Sequence, residues 1–173
     1  QRHRMQAAFF VSTGFLDGRM MFNDRVIEAV RRCSGDTIDF IGEDDRPVSM
    51  SLRSSADRRA AIDSILAAVK HLPPERREER VARLEHEAGI RSSDIPASPK
   101  MMDPDHVLGL HRSGMRIGGH TRTHPILVKL GEEAARAEIE GGLADLAGIT
   151  GERPSLFAYP NGRRGTDYDS RHV

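Results

Sequence analysis

The sequence predicts an α/β fold, in which short strands alternate with helices. Three observations support this prediction: an almost wholly apolar run close to the amino end, helix start and stop signals that follow it in the sequence, and a strand–helix–strand order in the last third of the chain. Short apolar runs fit strands that are buried on both faces, as in a parallel sheet covered by helices. The 173 residues suit one domain.

The composition argues against a nucleic-acid or membrane partner. Lys plus Arg and Asp plus Glu each number 26, so the formal net charge is zero. This balance gives no electrostatic attraction toward nucleic acid or an anionic bilayer. No stretch of about 18 apolar residues occurs, so no segment is predicted to span a membrane. Cys33, the only cysteine, excludes an internal disulfide and is expected to pack as a small apolar residue. The compartment stays open between the cytoplasm and the cell envelope.

The first part of the chain predicts a strand, a helix and a hairpin. The apolar run 7–12 is the first predicted strand. Asn23 is expected to cap a helix that runs to Cys33. Two later runs alternate apolar with polar residues and are expected to pair as a hairpin, namely 37–41 and 47–52.

Residues 43–100 are interpreted as an inserted hairpin and helical subdomain within a domain that spans residues 1–173. An apolar stripe at helical spacing follows Ser55, and Pro74 suits the first position of a second helix that ends near Gly89. The mixed charges of this second helix are typical of a solvated helix face rather than a binding patch. The composition leaves open whether the insert covers a groove and selects substrates or mediates dimerisation. A Ser/Pro-rich linker, 91–100, is expected to end it.

The last third predicts two helices and two strands in alternation. Asp103 is expected to cap a helix, and the predicted elements after it are a strand at 115–119, a helix at 132–147 ended by Gly148, and a strand at 155–159. A strand, a crossover helix and a second strand form a parallel unit. The carboxyl ends of parallel strands lie on the same face of the sheet, where active sites are built. The segments that follow 115–119 and 155–159 are therefore expected to converge, with residues 12–14 at the rim.

The strongest chemical signal is a pair of histidines, His120 and His124, directly after the predicted strand 115–119. Two neutral imidazoles that converge make two of the three protein ligands of a minimal catalytic zinc site. Pro125 disfavours a helical His124, so the pair is expected in a loop. The segment lacks the Glu of His-Glu-x-x-His, which argues against a zincin-type peptidase. The alternative interpretation is a surface pair on a structural domain, in which case His124→Ala changes neither metal content nor function. The other six histidines have no partner at ligand spacing: His3, His71, His86, His106, His111 and His172.

Three segments carry a resemblance to a known family. Residues 119–125 (Gly-His-Thr-Arg-Thr-His-Pro) resemble the metal-binding His-[Ser/Thr]-x-x-His motif of the polysaccharide deacetylases, carbohydrate esterase family four. Residues 157–162 (Phe-Ala-Tyr-Pro-Asn-Gly) resemble the next motif of that family, and residues 7–11 resemble the strand that follows its first motif. Their order and spacing agree outside the insert. The resemblance implies a distorted, incomplete (β/α) barrel.

The resemblance also implies an activity, which is hydrolysis of N-acetyl and in some members O-acetyl groups on a polysaccharide or oligosaccharide with one divalent ion. An acetylated glycan would then be the partner. Zn²⁺ is the default for mixed His and carboxylate ligation, and Co²⁺, Ni²⁺ or Mn²⁺ suit it too. The implied roles are metal ligands for His120 and His124, support of the loop for Thr121, a backbone N–H donated to the oxyanion by Asn161, and a groove shaped by Tyr159 and Pro160.

Two family motifs are expected outside this chain. The first motif, Thr-Phe-Asp-Asp-Gly, supplies the third metal ligand and the catalytic base, and no Asp-Asp-Gly occurs here. The motif with the catalytic histidine is expected beyond Val173, and Ala158 stands where some members have an arginine that orients the base. We therefore expect the chain to be a fragment that is inactive by itself. The alternative is a deacetylase-like module that has lost its carboxylates and only binds sugar or metal, and the oligomeric state stays open.

Overall fold

The computed structural model describes residues 5–42, 45–90 and 101–172. The predicted linker at 91–100 lies outside the described residues, as does most of the predicted hairpin turn. In chain order the elements are β1 (Ala8–Val11), α1 (Phe22–Arg32), β2 (Thr37–Ile41), β3 (Pro47–Ser51), α2 (Ser55–Lys70), α3 (Pro74–Glu87), α4 (Pro104–Arg112), β4 (Arg116–Gly119) and α5 (Glu132–Thr150).

The described residues form two compact units, one made of residues 5–19 and 101–172 and the other of residues 20–42 and 45–90. The mixture of helix and strand fits the predicted α/β class. Within the described ranges the strands form two two-stranded sheets and close no barrel. No described helix has the length and apolar character that crossing a bilayer requires.

The first unit is built on β1 and β4, which pair in parallel with Val11 opposite Gly119. The prediction that β1 is buried on both faces is wrong, because Val11 is 3% exposed but Phe10 is 42% exposed. The physical reason is that the core covers one face of β1 only: Phe9 and Val11 pack against it, whereas Ala8 and Phe10 alternate with them and are exposed. The small core of the first unit is formed by Val11, Leu16, Val107, Ile117 and Leu146.

The predicted strand at 155–159 is reduced to a parallel bridge between Gly119 and Phe157. Pro154 and Pro160 flank this segment and have no N–H to donate to a ladder, which limits its pairing. Two backbone bonds surround the bridge: Gly119 N–H donates to Leu156, and Ala158 N–H donates to Gly119, both at 2.9 Å. The segment therefore still runs parallel to β4, as the predicted strand–helix–strand order requires.

The helices of the first unit largely follow their sequence signals. Asp103 caps α4 by accepting from the His106 N–H, and α5 begins at Glu132 as predicted. The predicted end of α5 at Gly148 is wrong, because the helix continues to Thr150. Gly151, with φ 85°, is the residue that adopts the left-handed conformation and ends the helix.

The second unit packs the antiparallel hairpin of β2 and β3 against α1, α2 and α3. The hairpin is confirmed, with Thr37 opposite Ser51, and Cys33 is buried in the apolar core as predicted. This compact unit begins at Met20, and the insert at 43–100 stays a prediction. The unit includes α1 and β2 because they bury side chains in the same core as α2 and α3, among them Val26, Val30, Ile38, Phe40, Ile65 and Val81.

Asn23 does not cap α1. The helix begins at Phe22 with Met21 at the cap position, two residues before the predicted cap, and it has no side-chain cap bond. Asn23 therefore lies in the first turn, where its Oδ1 is buried without a hydrogen-bond partner among the described residues. Packing overrides the cap signal, because Phe22 contacts the apolar core of this unit.

The charged run of α3 pairs mainly with other elements rather than along its own helix. Arg25 of α1 binds both Glu78 and Glu85, at 2.6 Å and 2.8 Å, and the Arg77 guanidinium lies 4.5 Å from the centre of the Phe22 ring. Arg25 and Glu85 are only 14% and 8% exposed. Their pair is therefore shielded from solvent in a way that most surface ion pairs are not.

We expect Glu85→Ala to lower the free energy of unfolding by about 3 kcal/mol, because it removes the buried partner of Arg25 and leaves this largely buried charge paired only with the exposed Glu78. Glu79→Ala, an exposed residue on the same helix, is the matched control and should change it by less than about 0.5 kcal/mol. Urea denaturation followed by circular dichroism measures both. Equal effects for the two variants would show that the pair contributes no specific stability.

Candidate functional site

His120 and His124 lie in a loop directly after β4, as predicted, and we call residues 120–125 the His loop. The end of β1 holds its backbone. The His120 N–H donates to the Val11 carbonyl at 3.1 Å, and the Ser12 hydroxyl donates to the His120 carbonyl at 2.8 Å. The Gly14 N–H donates to the Arg122 carbonyl at 2.9 Å. Residues 12–14 therefore border the His loop, in agreement with their predicted position at the rim.

The ring of His120 is oriented by the neighbouring parallel segment. Its Nδ1 lies 2.7 Å from the carbonyl oxygen of Ala158. A carbonyl only accepts, so Nδ1 carries a proton, and Nε2 is the unprotonated nitrogen whenever the ring is neutral. A backbone carbonyl on one ring nitrogen is the usual support for a histidine that binds metal through the other. The two segments predicted to converge are thus in direct contact.

The rings of His120 and His124 have centroids 4.8 Å apart and planes at 70°. Zinc–nitrogen bonds of about 2.0–2.1 Å allow two rings at this spacing to hold one ion. Among the described residues no group of three or more His, Cys, Asp or Glu side chains could hold a metal. The donor chemistry of the pair therefore fits two positions of a metal site.

Thr121 links the two histidines through its hydroxyl. The hydroxyl donates to the His120 carbonyl and accepts from the His124 N–H at 3.0 Å. Thr121 is fully buried, and both Thr121 and His124 have positive φ, at 66° and 57°. Positive φ is uncommon for a β-branched residue and costs on the order of 1–3 kcal/mol. The hydroxyl bonds and the surrounding packing offset that cost.

Two carboxylates of α5 that the sequence analysis missed bind the same loop. Glu138 accepts from the backbone N–H groups of Arg122 and Thr123, at 2.9 and 2.7 Å, and from the Thr123 hydroxyl at 2.7 Å. Asp145 accepts two bonds from the Arg122 guanidinium, at 2.8 and 2.7 Å, and one from Thr13 at 2.7 Å. The hydrogen-bonded guanidinium holds the pKa of Asp145 below its ordinary value.

A glycine pair between these carboxylates brings α5 and the His loop together. A Cβ on Gly142 would lie 3.0 Å from the backbone carbonyl of Thr121, and one on Gly141 would lie 2.7 Å from the Arg122 side chain. A sequence signal for this face exists, because Glu138, Gly141, Gly142 and Asp145 recur at the spacing of one helix face. Only the packing shows which loop that face contacts.

The second motif segment, residues 157–162, lies at the end of the stretch that runs parallel to β4. The Tyr159 hydroxyl donates to the His172 carbonyl at 2.6 Å, and the Tyr159 ring stacks on Tyr168 with centroids 4.0 Å apart. Burial, with a contribution from Tyr168, raises the pKa of Tyr159. Pro160 is buried. Asn161 is exposed with φ 61°, and its backbone N–H donates no hydrogen bond within the described residues.

We expect opposite effects from two alanine substitutions on α5. Gly142→Ala should lower the free energy of unfolding, because the new methyl meets the Thr121 backbone at 3.0 Å. Gly148→Ala, where a Cβ has open space, should raise it by about 0.5–1 kcal/mol through higher helix propensity. Chemical denaturation of the two variants measures the difference. A stabilised Gly142→Ala would show that the close approach does not constrain the His loop.

Comparison with known proteins identifies one family. A family model described as polysaccharide deacetylase matches residues 70–172, which is more than half of the chain and includes the whole His loop. No curated protein and no solved structure matches the chain.

Proposed function

Because the chain belongs to the polysaccharide deacetylase family, we propose that its protein removes N-acetyl groups, or O-acetyl groups, from a polysaccharide or oligosaccharide with the help of one divalent metal ion. The family supports a deacetylase-type hydrolase, and the metal and the acetylated glycan are the proposed refinements. The observation that supports a bound metal ion is the His120–His124 pair, with ring centroids 4.8 Å apart and His120 Nδ1 bonded to a backbone carbonyl. We also propose that the first unit is part of the incomplete (β/α) barrel.

The proposed ligands are His120 and His124, held in register by Thr121. A divalent ion bound there would polarise the acetyl carbonyl and lower the pKa of a bound water. Zn²⁺ is the default ion, and Co²⁺, Ni²⁺ or Mn²⁺ suit the same donors. The hydrolysis that results breaks the carbonyl–nitrogen bond, and acetate leaves with the oxygen of water while the sugar keeps the amine.

The segment after Phe157 would bind and orient the acetyl group. Asn161 is exposed, and its backbone N–H is proposed to donate to the oxygen that gains negative charge, which is the usual role of an oxyanion donor. Pro160 and the ring of Tyr159 are proposed to form the groove wall. The Tyr159 hydroxyl is bonded to the His172 carbonyl, so we assign it to positioning the wall and not to proton transfer.

The second candidate function is a deacetylase-like module that binds sugar or metal without hydrolysis. The observation that favours it is the two-ligand site, because the described residues supply no third metal ligand beside the histidines. Hydrolysis also needs a general base, and a carboxylate is the usual one in metal-assisted hydrolysis of this kind.

We expect the full-length protein to release acetate from N-acetylated chito-oligosaccharides, to lose this activity with a chelator, and to recover it with Zn²⁺ or Co²⁺. His120→Ala and His124→Ala should each lower kcat/KM by about 100-fold or more, because each removes a ligand that positions the ion. His86→Ala, an exposed histidine on α3, is the matched control and should leave the rate unchanged.

Three results would separate the candidates. Activity that survives both the chelator and the two histidine substitutions would overturn the metal role. Metal binding without acetate release on any acetylated glycan would favour the binding module. Metal content that is the same in His124→Ala as in the unsubstituted protein would show that the pair is structural.

A further inference from the structure

We infer that Glu138 and Asp145 of α5 are positioning residues for the metal-binding His loop. This inference rests on the proposed function, since it assigns the two carboxylates to the same site. Neither residue is expected to touch the metal or the substrate. Within the loop they act through Arg122 and Thr123, which lie between the two histidines.

One face of α5 contacts the His loop. Glu138, Gly141, Gly142 and Asp145 lie at helical spacings of three, four and seven residues and so share one face. The glycines allow this face to approach the loop so closely that a Cβ added to Gly142 would lie only 3.0 Å from the Thr121 backbone. The two carboxylates, Glu138 before the glycine pair and Asp145 after it, therefore both lie within hydrogen-bond distance of the loop.

Glu138 satisfies the loop backbone. Its Oε2 accepts from the N–H groups of both Arg122 and Thr123, and its Oε1 accepts from the Thr123 hydroxyl. All three distances lie between 2.7 and 2.9 Å, the range of charge-assisted bonds. Removing this carboxylate would leave two backbone donors of the loop without that partner, beside a residue already held at positive φ.

Asp145 joins the loop to the end of β1. One carboxylate oxygen accepts from both Arg122 and Thr13, and the other accepts from Arg122 alone. The Arg122 and Asp145 side chains are 46% and 35% exposed, so their ion pair contributes little to global stability. Its geometry is bidentate, however, and such pairs fix direction well. The expected role of Asp145 is therefore orientation rather than stabilisation.

Both contacts affect the positions of the two histidines because the loop between them is short. Thr121 follows His120 directly and bonds the His124 N–H through its hydroxyl, so a shift of the backbone at 121–123 moves the ligands relative to each other. Ligand geometry must be held within a fraction of an ångström for tight binding or catalysis. The α5 carboxylates supply that restraint from outside the ligand set.

The experiment compares Glu138→Ala, Glu138→Gln and Asp145→Asn with Glu140→Gln in the full-length protein. Glu140 is an exposed carboxylate of the same helix that pairs with Arg153 instead of the His loop. Zn²⁺ affinity is measured by competition calorimetry, and the ligand geometry is measured by the absorption spectrum of the Co²⁺ form. Amide hydrogen exchange at Arg122 and Thr123, without metal, reports the loop directly.

We expect Glu138→Ala to weaken Zn²⁺ binding by about 10–100-fold, the range seen for residues that support metal ligands. Exchange at the two amides should accelerate and the Co²⁺ spectrum should change. Glu138→Gln should recover part of the affinity because it keeps one carbonyl acceptor. Asp145→Asn should change the Co²⁺ spectrum with little change in thermal midpoint, and Glu140→Gln should match the unsubstituted protein in every measurement.

Two results would overturn the inference, and they are distinguishable. If the unsubstituted protein binds Zn²⁺ and the Glu138 and Asp145 variants bind it equally well with the same Co²⁺ spectrum, the carboxylates are structural and the proposed function stands. If the unsubstituted protein binds no Zn²⁺, or binds it equally after His120→Ala and His124→Ala, the proposed metal site fails and the positioning role fails with it.

Discussion

The close contact between the His loop and one face of α5 is the constraint on which the candidate site depends. A helix can approach a loop backbone this closely only where it has no side chain, and Gly142 provides that position. The approach brings Glu138 within hydrogen-bond distance of two loop N–H groups. It also allows Thr121 to be buried at positive φ, which a free loop would not maintain.

From this contact the organisation of the first unit follows in steps. The end of β1 bonds the loop at Thr121 and Arg122, and the parallel segment after α5 bonds the His120 ring at Ala158. Three segments that are distant in sequence are thus tied to one short loop. This is the common arrangement of α/β proteins, where loops at the carboxyl ends of parallel strands carry the chemistry and the helices support them. The family membership gives that chemistry its class, a deacetylase-type hydrolase.

The second unit contributes stability by a different route. Its core contains residues of three helices and a hairpin, and the Arg25 pair with Glu85 is shielded beside it. The family match begins at Lys70, inside this unit, so the match is not confined to the unit that holds the histidines. The role of this unit in covering a groove or in dimerisation stays a prediction.

The sequence by itself determined the features that depend on neighbours within a few residues. The hairpin pairing, the Asp103 cap and the loop position of the histidines follow from alternation, capping chemistry and Pro125, all of which act locally. The end of α5 was not determined in this way, because two glycines lie near it and only Gly151 adopts positive φ.

The tertiary structure decided what depends on packing between distant segments. Asp145 lies 23 residues from Arg122 in sequence, and no local pattern indicates that they bond. The same reason explains the start of the second unit at Met20, the exposed face of β1 and the failure of Asn23 as a cap. Burial and long-range hydrogen bonding are properties of the assembled chain, whereas a sequence pattern reports the preference of each segment alone.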